Sequence, residues 1–72
     1  MRKRQATELV REGRYVAEVA VELLEEDHEW APYLSLSDSK MLDEVRLALR
    51  SGDLKRAAQF GKVFELTPVA AE

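Results

Sequence analysis

His28 stands among Glu25, Glu26, Asp27 and Glu29, and no other segment gathers residue types that could move a proton or hold a cation. An imidazole with a pKa near neutrality can act as a general base, but flanking carboxylates favour its charged form and work against that role. The same five residues could coordinate a divalent ion, yet they lack the alternating ligand spacing and central glycine of a calcium loop. A solvated turn is the better account of them. The chain has no cysteine, which removes disulfides, thiolate nucleophiles and cysteine metal sites together and suits a reducing compartment. Its glycines form no phosphate-cradling loop, and no serine has a partnering His and Asp in a recognisable arrangement. The sequence therefore predicts no catalytic residue, no cofactor and no metal site: a non-enzyme.

Charge is distributed unevenly. Residues 1–14 carry Arg2, Lys3, Arg4, Arg11 and Arg14 and sum to +3; residues 15–38 hold seven carboxylates and no Lys or Arg; residues 39–72 sum to +1. The net charge of −3 denies the chain the bulk positive field of a dedicated nucleic-acid binder. Arg46, Arg50, Lys55 and Arg56 nevertheless straddle a helix–turn–helix joint, so they are the candidate nucleic-acid contacts. The acidic block instead offers a complement to a basic surface, with Glu18 and Glu22 among its carboxylates.

Trp30 and Tyr33, near Tyr15, form the main aromatic group, and such side chains serve either as core or as interface anchors. Phe64, Leu66 and Val69 in the apolar tail pose the same choice: the tail completes the sheet internally or adds to a partner's open edge. The candidate partner-binding residues are thus Glu18, Glu22, Trp30, Tyr33, Phe64, Leu66 and Val69.

The elements that must position these residues follow from periodicity. Seventy-two residues make one small domain, because so short a chain buries only about 60% of its unfolded surface and supports a single core. Residues 15–24 fit two periods. As a strand, Tyr15, Ala17, Val19, Val21 and Leu23 line one face; as a helix, Val16, Val19, Ala20, Leu23 and Leu24 form a stripe. The β-favouring Tyr and Val residues and the break at Gly13 favour the strand, while an all-helical form of residues 5–26 stays open. Trp30–Leu36 alternates again, with Pro32 confining it to a sheet edge, so the two runs predict a β-hairpin.

Ser35, Ser37 and Asp38 are N-cap candidates for a helix over Asp38–Arg50, whose Met41/Leu42, Val45 and Ala48/Leu49 recur at helical spacing. Ser51-Gly52 stops it, and Asp53 opens a second helix over Leu54–Phe60. Val63–Val69 is a last strand or an extended arm. Residues 1–13 have Ala6, Leu9 and Val10 at helical spacing but too few apolar positions for a helix of their own, so they are expected to be a basic N-terminal arm ahead of a single domain over 14–72. The predicted class is α+β: a small antiparallel β-hairpin packed on a helical hairpin, with a C-terminal strand or arm. The polar run Gln5-Ala6-Thr7-Glu8 after the basic start is unlike a secretory leader, and no apolar run is long enough for a membrane span, which predicts a cytoplasmic protein.

Four stretches carry a family likeness: Arg14-Tyr-Val-Ala-Glu-Val-Ala-Val-Glu-Leu, Glu29-Trp-Ala-Pro-Tyr-Leu-Ser-Leu-Ser-Asp, Leu42-Asp-Glu-Val-Arg-Leu-Ala-Leu-Arg-Ser-Gly-Asp-Leu and Val63-Phe-Glu-Leu-Thr-Pro-Val. Over roughly residues 14–70 the chain resembles short bacterial proteins encoded singly or beside toxin-like genes, the antitoxins of type II toxin–antitoxin pairs. The hairpin followed by a helix is similar to HicB-type antitoxins, from which this chain departs by the absence of a third strand before the helix and of an appended DNA-binding domain. The resemblance implies an acidic neutraliser of a small basic toxin-like protein, because RelE-like and related toxins are basic in order to act on RNA. The rival expectations are a self-associating protein that closes a homo-oligomer through the same edges, and a small DNA-binding regulator.

Overall fold

In the computed structural model, which describes residues 2–27 and 31–70, Gly13 adopts φ 61° in a two-residue turn with Arg14. Glycine carries this left-handed conformation without a Cβ penalty, and its place at the first turn position suits the tight twist of a hairpin. The turn joins strand β1 (Arg2–Glu12) to strand β2 (Tyr15–Glu25), paired antiparallel from Glu12↔Tyr15 to Arg2↔Glu25. The remaining elements are β3 (Tyr33–Leu34), helix α1 (Leu36–Ser51), the one-turn helix α2 (Leu54–Ala57) and β4 (Gly61–Glu65). The protein is an α+β fold with a four-stranded antiparallel sheet.

β2 is the centre of the sheet. β1 covers one of its edges over the full eleven residues, while β4 (Val19↔Gly61 to Tyr15↔Glu65) and β3 (Leu23↔Leu34, Leu24↔Tyr33) share the other. Residues 15–24 are thus strand, as their β-branched content indicates. Two expectations are corrected. Residues 2–12 are an integral strand rather than an arm: an edge strand needs few inward apolar residues, and Ala6 and Val10 suffice when β2 supplies a partner two residues away. The main hairpin is accordingly β1–β2, so three strands precede the helix.

Within the described part of the expected Trp30–Leu36 strand, from Ala31 on, only Tyr33 and Leu34 are strand. Pro32 withholds a donor from the ladder, and Ser35 ends the extended backbone by capping α1, its Oγ accepting the Asp38 N–H at 3.1 Å. At the other end of α1, the Gly52 N–H donates to the Leu49 carbonyl and the Asp53 N–H to the Ala48 carbonyl, at 3.1 and 2.8 Å. The Asp53 Oδ1 then accepts the Arg56 N–H at 3.2 Å, opening α2, which ends at Ala57 rather than Phe60.

The core lies between the sheet and the helices. Val10, Ala17, Val19 and Val21 face Leu42, Val45, Ala48 and Leu49 of α1 and Ala57 of α2. Val19 and Val45 are fully buried, each worth about 1.5–3 kcal/mol against exposure. Register and pleat place all the inward strand residues on one face, at even positions of β1 and odd positions of β2 and β4. With helices on that face alone, the Cα envelope measures 49 × 31 × 14 Å. The opposite sheet face is left uncovered by the described residues.

Candidate functional site

The uncovered face is built from the outward-pointing half of the pleat: its apolar members are Leu9 of β1, Val16, Ala20 and Leu24 of β2 and Phe64 of β4, set among Lys3, Gln5, Thr7, Arg11, Glu18, Glu22 and Lys62. Leu9 is 64% exposed and Phe64 45%. Phe64 lies opposite Val16, and Leu9 lies diagonally across from it, so the three form an oblique apolar stripe across the sheet. Leu66 continues the stripe past the end of β4, held by its N–H donating to the Arg14 carbonyl at 2.6 Å.

Glu18 stands beside this stripe, opposite Leu9 on one side and Lys62 on the other, exposed and without an ion pair among the described residues. Glu22, farther along the same face, is occupied: Lys3 Nζ is 3.9 Å from Oε1, and Gln5 Nε2 donates to Oε2 at 3.4 Å. Glu25 likewise takes Arg2 and Arg4, at 3.7 and 3.3 Å. The acidic block is therefore partly neutralised within the chain, because the register lays the basic start of β1 alongside the end of β2. Only the three-dimensional pairing reveals this.

The remaining candidate residues are dispersed. Tyr33 sits on the open face opposite Leu24, its hydroxyl donating to Glu26 Oε1 at 3.1 Å. Eight residues of β2 separate that position from Val16, so Tyr33 and Phe64 are about 27 Å apart along the sheet. Val69 is 93% exposed beyond β4. Trp30 and the chemistry-bearing His28 and Glu29 lie outside the described residues. Leu9 and Val16, which the sequence reading did not select, are brought to the face by the hairpin register.

The basic set does not converge. Glu12 receives both Arg50 (3.0 Å) and Arg46 (3.9 Å), Arg46 also reaches Asp43, and Arg56 pairs with Glu44 at 3.1 Å. Lys55 lies exposed on α2, whose four residues are too short to enter a groove as a recognition helix. A shallow groove of about 520 Å³ beside the hairpin turn is lined by Arg11, Arg14, Glu65, Leu66 and Pro68 among others. Arg14 there pairs with Glu65 at 3.9 Å and lies over the Tyr15 ring. The neighbouring Tyr15 and then the Glu65 carboxylate hold the Arg14 pKa above its ordinary value.

No family model, curated protein or solved structure matches this chain. What the molecule offers a partner is then read from the face itself: an apolar stripe flanked by the exposed carboxylate of Glu18 and the exposed cations Arg11 and Lys62, none of them in an ion pair, and no covering layer among the described residues. Among the described residues, no helix is long and apolar enough to cross a membrane.

Proposed function

We propose that this chain is a non-enzymatic protein-binding module whose open sheet face docks a partner protein. The observation that carries this is the stripe Leu9, Val16, Phe64 and Leu66, left bare by a sheet that holds helices on one side only. Apolar surface arranged in this way marks interaction sites on small soluble domains. Glu18 at its margin supplies a charge for a basic group of the partner, where complementarity fixes orientation and speeds encounter.

Within that class the chain acts as an antitoxin-like neutraliser of a small basic protein, in keeping with the family resemblance and with the carboxylate that the basic strand leaves free. Two ion pairs at Glu12 and one at Glu44 hold Arg46, Arg50 and Arg56, which speaks against the regulator reading.

The test is affinity capture from the native lysate at moderate and high salt, with the wild type beside Phe64→Ser and Leu9→Ser. A stoichiometric small basic protein, toxic when expressed alone and lost from both variants, is expected. Capture of nothing, or of a partner that both variants retain, overturns the proposal.

A further inference from the structure

β1 is paired on one side only. Its other edge runs the full length from Arg2 to Glu12 with no strand beside it among the described residues. Glu22 turns its N–H away from β1, towards Asp38, so Gln5 and Glu22 form a non-hydrogen-bonded pair. By alternation Lys3, Gln5, Thr7, Leu9 and Arg11 aim their backbone N–H and C=O groups at the free edge. Edges of this length are usually blunted by proline, by a bulge or by charged side chains, and β1 relies on the last: Arg2, Lys3, Arg4, Glu8, Arg11 and Glu12. This one contains neither proline nor a positive φ, and the register to β2 runs unbroken.

We propose that this edge binds the same edge of a second copy, antiparallel about a two-fold axis through Thr7, joining the two sheets into one. The occupant is argued from charge. On the helix-facing side β1 carries cations at its start, Arg2 and Arg4, and carboxylates in its second half, Glu8 and Glu12. On that side, antiparallel pairing of such a strand with itself sets opposite charges together, while on the open face it sets Lys3 opposite the partner's Arg11, a like-charge contact the pairing must outweigh. With Thr7 opposite the partner's Thr7, Arg2 faces the partner's Glu12, and Arg4 lies diagonally between the partner's Glu8 and the partner's Glu12.

Glu8 is the residue this arrangement explains. It is half-buried at the edge of the helix-facing side and has no ion pair among the described residues. Arg4 is 61% exposed and shares Glu25 with Arg2, so its guanidinium is available to a neighbour. Full overlap gives about ten backbone hydrogen bonds, from the five edge-facing residues of each copy.

This interface uses an edge rather than the open face, so it stands or falls independently of the proposed partner docking. The test is the mass in solution, by light scattering and sedimentation over a range of concentrations, with the expected value twice the 8.2 kDa of one chain. Thr7→Pro removes an N–H aimed at the edge without taking a bond from the β2 ladder, so it should give a monomer with an unchanged circular dichroism spectrum. Arg4→Glu and Glu8→Arg, each applied twice by the two-fold, should each weaken the dimer about tenfold or more, and the double variant should restore it. A wild type monomeric at every concentration overturns the proposal. So does a dimer that neither Thr7→Pro nor the charge reversals weaken. If Thr7→Pro fails to fold, loss in the single reversals and recovery in the double variant decide the matter.

Discussion

The Asp38 carboxylate accepts the backbone N–H of Glu22 at 2.9 Å, joining the first turn of α1 to the middle of β2. The contact falls on the edge of β2 away from β1, in the gap between Val19, the last residue paired to β4, and Leu23, the first paired to β3. A side chain thus supplies the acceptor that a strand would have supplied, and a part-buried N–H is satisfied. Asp38 also lies in the first turn of the helix.

Asp38→Ala should therefore cost about 1.5–3 kcal/mol, since it leaves the Glu22 N–H unpaired. Asp38→Asn, which keeps a neutral acceptor of similar shape, should recover part of the loss. Urea unfolding of the two variants measures the difference.

Gly61→Ala should separate β4 from β2. A Cβ at Gly61 would meet the Glu18 carbonyl oxygen and the atoms behind it, all of them backbone, so no side chain can move aside. The expected cost is about 3 kcal/mol or more. Hydrogen exchange should show lost protection at Val16 and Glu18, the β2 residues whose neighbour is β4, before it shows loss along β1.

Phe64→Ser and Val19→Ser should behave differently although both replace an apolar strand residue. Phe64 lies 45% exposed on the open face, and its loss should cost under about 1 kcal/mol, whereas Val19 is fully buried and should cost about 3 kcal/mol or more. Thermal melts compare them directly. A large loss in Phe64→Ser would place the open face under cover within the chain.

Glu12→Gln should weaken the junction between β1 and α1 only modestly. Glu12 gathers Arg50 at 3.0 Å and Arg46 at 3.9 Å, but both guanidinium groups are well exposed. The expected loss is about 0.5–1 kcal/mol at low salt, shrinking as salt is raised. Denaturant titrations at two ionic strengths test both the size and the trend.

The local elements were legible where one pattern dominated. Val45, Ala48 and Leu49 recur at helical spacing, Ser35 and Gly52 punctuate α1, and the Tyr and Val content of residues 15–24 prefers strand, so these segments declare themselves through short-range sterics and burial. β1 was not legible. Its single buried residue, Val10, gives almost no periodic signal, and it becomes a strand because β2 lies across a two-residue turn. The site was legible in type but not in arrangement: Phe64 and Leu66 were singled out from composition, while their union with Leu9 and Val16 depends on cross-strand register. The neutralisation of Glu22 and Glu25 by Lys3, Arg2 and Arg4 has the same origin, since it joins charges some twenty residues apart in sequence. By itself the sequence determined a small α+β chain with one strong helix and an acidic middle. Tertiary structure alone decided which carboxylates stay free, which sheet face stays bare and which edge stays open, because all three depend on non-local pairing that no local period records.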